Sequence, residues 1–285
     1  DGVYTIASKA NKNKVLKVQS GSIKNGGNII IATGKSFDSQ KFIITDMKDG
    51  TYRITNYYSG KAIRAADDSK KAGTNVNQST MTLDKLERWY IVDAGDGTVY
   101  FQNAATGLCI DIAGDVPKSG SNIQTDTKTG ADDQRYFLKK ASIDRIKNGY
   151  YIIKASSNPK KVLETGFDSK QVGARTMIAA NDKGDNQKYK ITYLKNGYYR
   201  ITNAGSSHAL HVMNSSVGKK SDIIQYKYSD MDSQYWIIHI NKNKSVSFIN
   251  ARSGMALGLD KNKTDNGTKA VQQNYKGNKI QSFSL

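Results

Sequence analysis

Apolar residues along this chain alternate with polar ones in short runs, and no segment keeps the period of about 3.6 residues that marks an amphipathic helix. Six runs carry the clearest alternation: Val3-Tyr4-Thr5-Ile6, Tyr52-Arg53-Ile54-Thr55, Val99-Tyr100-Phe101, Tyr150-Tyr151-Ile152-Ile153, Tyr198-Tyr199-Arg200-Ile201 and Val246-Ser247-Phe248-Ile249. These are β-branched and aromatic residues, which fit a pleated, half-buried surface. A turn rich in Asn, Ser and Gly follows each run. Next comes a small apolar residue paired with a large one, then a glycine turn, then two further apolar runs. The pattern predicts about four short strands per repeat and almost no helix.

The runs recur at a fixed interval. A Gln-x-aromatic triplet appears at Gln40, Gln134, Gln187, Gln234 and Gln281, with Glu87 in the Gln position of a sixth copy; the spacings are 47, 47, 53, 47 and 47. The small-large pairs Val15-Leu16, Ala62-Ile63, Cys109-Ile110, Val162-Leu163, Ala209-Leu210 and Ala256-Leu257 keep the same phase, as do glycines 26, 73, 120, 173 and 267. A repeat this short cannot bury its own apolar face, so several must share a core. The one long interval carries six extra residues in the polar segment from Lys139 to Lys147. The expectation is therefore two halves, 1–142 and 143–285, each closing three repeats on a pseudo-threefold axis. The repeats run over 1–50, 51–97 and 98–142, then 143–197, 198–244 and 245–285.

In these features the chain resembles the ricin-B-type (R-type) β-trefoil lectins and carbohydrate-binding modules. The resemblance rests on the six in-phase signature triplets, the run Gly120-Ser121-Asn122-Ile123-Gln124 and the phrase Ser59-Gly60-Lys61-Ala62-Ile63. It covers the whole chain and implies an all-β fold of two tandem β-trefoils, with carbohydrate binding as the activity. Plant members often carry a disulfide in each repeat; here Cys109 is the only cysteine, in a core-type position. The signature aromatic is expected in the core and the signature Gln as a brace for its loop.

The resemblance also implies where a sugar would sit. Each repeat can offer an acid just after the apolar pair, an aromatic on or after the third strand, and a polar residue just before the signature Gln. Repeats one and two have Lys17 and Arg64 in place of the acid and keep none of these elements. Repeat three offers Asp111, Gln124 and Asp133, and repeat four Glu164, Asn181 and Asn186, both without an aromatic. Repeat five offers Tyr226 and Tyr228, two apart and so expected on one strand face, beside His211 and Asp232. Repeat six offers Tyr275, near Asp260 and Asn278. Tyr57 and Tyr58 are expected to be a further exposed pair. A tyrosine face stacks on the apolar side of a pyranose, while carboxylates and amides take its hydroxyls.

Charge widens the range of partners. The net charge is +18, divided as +5 over residues 1–142 and +13 over residues 143–285. Such a field attracts polyanions, so a charge-driven binder of anionic polymers (sulfated glycan, teichoic acid) stands beside the lectin reading. A protein-interaction subunit of a toxin or enzyme complex is the other rival. No nucleic-acid-binding motif is visible. The three histidines, 208, 211 and 239, have no metal-ligand spacing, and no cofactor is expected. Glutamate occurs only at 87 and 164, and no carboxylate pair can be nominated for a glycosidase, so no enzyme is expected. The longest apolar run, Ile29 to Ala32, is far short of a membrane span, and insertion is not expected. The Asn- and Lys-rich, cysteine-poor composition resembles exported proteins of low-GC Gram-positive bacteria. A start at Asp1, with no signal peptide, fits a trimmed chain or a mature segment. The expected location is therefore secreted or cell-surface.

Overall fold

The computed structural model describes residues 1–285, the side chain of Phe167 excepted. It contains two compact units, Asp1–Ile143 and Asp144–Leu285. Both are all-β, with only short 3-10 turns between strands and no α-helix among the described residues.

In the first unit six strands close into a ring. Strand Gly2–Ser8 pairs with Phe42–Asp46, which pairs with Tyr52–Asn56. Tyr52 then meets Trp89, and strand Trp89–Asp93 pairs with Val99–Asn103. Val99 meets Tyr136, and strand Tyr136–Lys140 returns to Gly2–Ser8, with Tyr4 opposite Lys140. Closure leaves no free edge in the ring. Three hairpins cap it: Lys14–Val18 with Gly27–Thr33, Ala62–Ala65 with Thr74–Ser79, and Cys109–Ile112 with Ile123–Asp126. Each hairpin touches the other two, through Asn28–Asn77, Gln124–Asn75 and Ile30–Asn122 pairings. A six-strand ring capped by three mutually paired hairpins is a β-trefoil.

The second unit repeats the plan. Its first ring strand is interrupted, as Gly149–Ile152 and Lys154–Ala155; these pair with Lys188–Tyr193 and Phe283–Ser284 respectively, and the last strand closes on Val246. Its hairpins are Lys161–Thr165 with Thr176–Ala180, Ala209–Val212 with Ile223–Tyr226, and Ala256–Leu259 with Thr268–Gln273.

Each unit has its own core. All six signature aromatics (Phe42, Trp89, Tyr136, Tyr189, Trp236 and Phe283) are fully buried, and so are the large residues of the apolar pairs. The indole N–H of Trp89 donates to the carbonyl of Ile63 at 3.0 Å, and that of Trp236 to Leu210 at 3.2 Å, so both buried indole donors are satisfied. Asn56, Asn103, Asn203 and Asn250, at the ends of ring strands, donate to the carbonyls of Ser39, Leu86, Asn186 and Ser233. Each thereby ties one repeat to the signature turn of the repeat before it.

At the hairpin triangle the two units differ. In the first, amides at three in-phase positions bond in an open chain, Asn28 to Asn122 and Asn122 to Asn75. In the second, the same phase holds Arg175, Asp222 and Lys269, and Asp222 pairs with Arg175 at 2.6 Å and Lys269 at 3.8 Å.

Tyr57 and Tyr58 are not an exposed pair. Tyr57 is only 2% exposed and Tyr58 is half-buried. The backbone N–H of Tyr57 donates to Lys41 at 2.9 Å, which draws this turn back onto the preceding signature turn. No helix among the described residues is long and apolar enough to cross a membrane.

Candidate functional site

The signature Gln ends a one-turn 3-10 helix and closes its own loop. Gln40 accepts from the backbone N–H of Lys35 and donates to the carbonyl of Thr33, both at 2.8 Å. Gln134, Gln187, Gln234 and Gln281 repeat this two-way clasp. Glu87 can only accept, from Thr82 and Leu83. Burial raises its pKa above the usual carboxylate value. The loop thus held rigid stands over the hairpin that carries the residue after the apolar pair, and the cleft between them is the candidate binding site of each repeat.

Repeat three brings its candidates together. Asp111 is buried; its Oδ1 accepts from Gln124 Nε2 at 2.9 Å and its Oδ2 from Gln134 Nε2 at 3.1 Å. Asp133, also buried, lines a cavity of about 410 Å³ with Asp111, Asp115, Asp126 and Asp132. Burial, then the charge of Asp111, raises the Asp133 pKa to about 6. Burial also raises that of Asp111, against the two amide hydrogen bonds.

Repeat four is more closed. Glu164 and Asn186 are buried, and Gln187 Nε2 donates to Glu164 Oε2 at 2.8 Å. Asn181 stands apart, exposed, its Oδ1 accepting from the N–H of Lys183.

Repeat five presents aromatic faces. The Tyr226 ring lies over the buried His211 imidazole, centroids 5.1 Å apart and planes inclined by 32°. Burial lowers the His211 pKa, favouring the neutral ring. Ser233 Oγ sits 3.2 Å from His211 Nδ1 and Ser215 Oγ 3.0 Å from Ser233 Oγ. Asp232 joins this cluster indirectly: Arg252 donates to Asp232 at 3.1 Å and to the carbonyl of Ser215 at 2.6 Å. Tyr226 and Tyr228 are 39% and 40% exposed. They do not share a strand, because the strand ends at Tyr226; Tyr228 carries Arg200 over its ring at 4.4 Å and donates to Asp230 at 2.5 Å.

In repeat six Tyr275 is not an open stacking face. It is 5% exposed, edge-on to His239 with centroids 6.3 Å apart, and its hydroxyl lies 3.4 Å from Asn241 Oδ1. The neighbouring ring strand covers the tyrosine. What repeat six does form is a cavity of about 400 Å³ lined by Lys219, Lys220, Lys261, Lys276, Asp260 and Gln273, among others. The four lysines were not singled out from the sequence, where they are scattered over three turns. Asp115 was missed as well, although it falls four residues after Asp111, in the connection between the two strands of the hairpin. Among the described residues no group of three His, Cys, Asp or Glu side chains is placed to hold a metal ion.

A family model described as ricin-type beta-trefoil lectin domain-like matches residues 1–79, 85–179 and 185–273. Its middle match runs across the junction of the two units, as a near-uniform repeat permits. Among solved structures, a designed 3-fold symmetric protein, ThreeFoil, is 28% identical over 49% of this chain and 99% of its own, with a TM-score of 0.48. A mosquitocidal holotoxin is 20% identical over 99% of this chain, which spans 34% of the holotoxin chain, at a TM-score of 0.48. The Macrolepiota procera ricin B-like lectin in complex with lactose is 16% identical over 48% of this chain and 94% of its own, at a TM-score of 0.42. No curated protein matches the chain.

Proposed function

The chain belongs to the ricin-type β-trefoil lectin-like family, and from that premise we propose that it is a non-catalytic glycan-binding module, holding an exported protein to cell-surface or polysaccharide glycans. Repeat five is the main site and repeat three a second. The observation that carries this reading is the Tyr226 ring, partly exposed and backed by the buried, neutral His211. An aromatic plate fixed from behind loses little freedom when a pyranose stacks on it. Shallow sites of this kind bind weakly one at a time, and two on one chain gain strength through multivalency on a polymer.

A glycan array at low and high salt tests the proposal. Neutral glycans should be retained at high salt, and Tyr226→Ala should remove most of the signal assigned to repeat five while circular dichroism stays unchanged. Loss of all binding at high salt, with Tyr226→Ala indistinguishable from the parent, overturns it.

One observation favours a second reading, attachment to anionic polymers. Lys219, Lys220, Lys261 and Lys276 share one cavity, and a second cavity sharing Asp260 and Lys261 adds Lys263 and Lys269. In that case binding falls steeply with ionic strength and follows these lysines instead of Tyr226.

A further inference from the structure

Resting on the reading of repeat three as a sugar site, we infer that its acidic niche selects an amino sugar bearing a free ammonium group.

The niche is an exception within a strongly basic chain of net charge +18. Five aspartates line one cavity of about 410 Å³. Only Asp132 is compensated, by Lys9 at 3.1 Å and Arg135 at 4.0 Å. Asp111, Asp115, Asp126 and Asp133 form no ion pair among the described residues. Asp111 takes amide hydrogen bonds on both oxygens, and Asp126 one from the N–H of Thr127. Asp133 Oδ1 is buried and accepts no hydrogen bond. An unmatched carboxylate oxygen beside like charges is costly, and the rise of the Asp133 pKa to about 6 expresses the same tension.

The fold does not require these acids. At the Asp111 position the other repeats hold Lys17, Arg64, Glu164, His211 and Gly258; at the Asp133 position they hold Ser39, Leu86, Asn186, Ser233 and Ile280. All build the same hairpin and the same signature turn. Only repeat three places carboxylates at all four phases of 111, 115, 126 and 133.

A cation relieves the niche, and its size follows from geometry. No three of the carboxylates meet closely enough to ligate one metal ion; they ring a space instead. An ammonium group spreads three donors over several acceptors, and the rest of a sugar ring fills the remaining volume with hydroxyls for Asp111 and Thr129, which line it. A neutral hydroxyl or an acetylated amine cannot match the charge.

Calorimetry on the whole protein tests this with three probes: a glucosamine oligomer, its N-acetylated form and a glucose oligomer of equal length. The glucosamine oligomer should bind at least about tenfold tighter than the other two. Asp133→Asn and Asp111→Asn should each abolish that preference with circular dichroism unchanged, whereas Asp68→Asn, at an exposed acid outside the niche, should preserve it. Equal affinity for the amino and acetylated forms, both weakened by Asp133→Asn, leaves a sugar site in repeat three and overturns charge selection. If neither Asp variant alters the binding of any probe, repeat three is not a sugar site at all. A lysine-containing peptide that competes as well as the amino sugar, or calcium that displaces it, overturns the assignment in favour of a peptide or an ion.

Discussion

Asn28 donates its side-chain amide to Asn122 Oδ1 at 2.8 Å, across 94 residues of sequence. Asn122 in turn donates to Asn75 Oδ1 at 3.0 Å, so it sits in the middle of the chain of amides at the pseudo-threefold axis of the first unit. Removing the middle member strands both neighbours. Asn122→Ala is expected to destabilise the first unit by about 1–3 kcal/mol and Asn28→Ala by less. Urea unfolding of the two variants checks the order; equal losses contradict it.

Glu87 offers a gain. Five repeats use a Gln that both accepts and donates, while Glu87 only accepts and is buried as an acid with a raised pKa. Glu87→Gln restores a donor and removes a buried charge. The unfolding midpoint of the first unit should rise at neutral pH, by a stabilisation of about 1 kcal/mol, with a smaller gain in acid, where Glu87 is itself neutral.

Trp89 and Trp236 are fully buried with their indole N–H groups satisfied. Trp89→Ala and Trp236→Ala should each cost about 3–5 kcal/mol as large-to-small core changes. The loss should be confined to the unit carrying the change, seen as one shifted transition in calorimetry and one retained.

Asp133 makes stability depend on pH. Its carboxyl, raised to about 6 in the folded chain, keeps its proton where the unfolded chain, near the ordinary value of about 4, has released it. The first unit therefore loses stability as pH rises from about 4 to about 6, and stays flat above that as far as this group is concerned. Asp133→Asn should reduce the slope, leaving the share of Asp111 and Glu87, whose carboxyls burial also raises, and exceed the parent in thermal midpoint at pH 7.

The core is legible in the sequence because it is periodic. Phe42, Trp89, Tyr136, Tyr189, Trp236 and Phe283 recur in phase with the apolar pairs, and a position that six repeats keep apolar has nowhere to go but inside. The site is legible only in part, because its surface depends on which neighbour leans over it. Tyr228 and Tyr275 occupy the same phase, yet Tyr228 lies under an arginine at the surface and Tyr275 is closed in by His239. Lys219 and Lys276 are 57 residues apart and line one cavity because the hairpin turn carrying Lys219 lies beside the signature loop carrying Lys276. Counting charges along the chain does not detect such a meeting. Asn28, Asn75 and Asn122 were readable as a set; what hid them was the change to Arg175, Asp222 and Lys269 in the second half.

In the first unit, the strand that enters the ring and the strand that leaves it lie side by side and antiparallel, with Tyr4 opposite Lys140 and Ser8 opposite Tyr136. Both ends of the unit therefore emerge at one end of a single ladder. When such a unit tethers a load, tension falls on the outermost hydrogen bond alone, then on the next, and the ladder opens like a zip instead of shearing as a block. Resistance to pulling is thus set by one bond at a time, however stable the ring is to heat, and a module built this way yields under force before a sheared one of equal thermal stability.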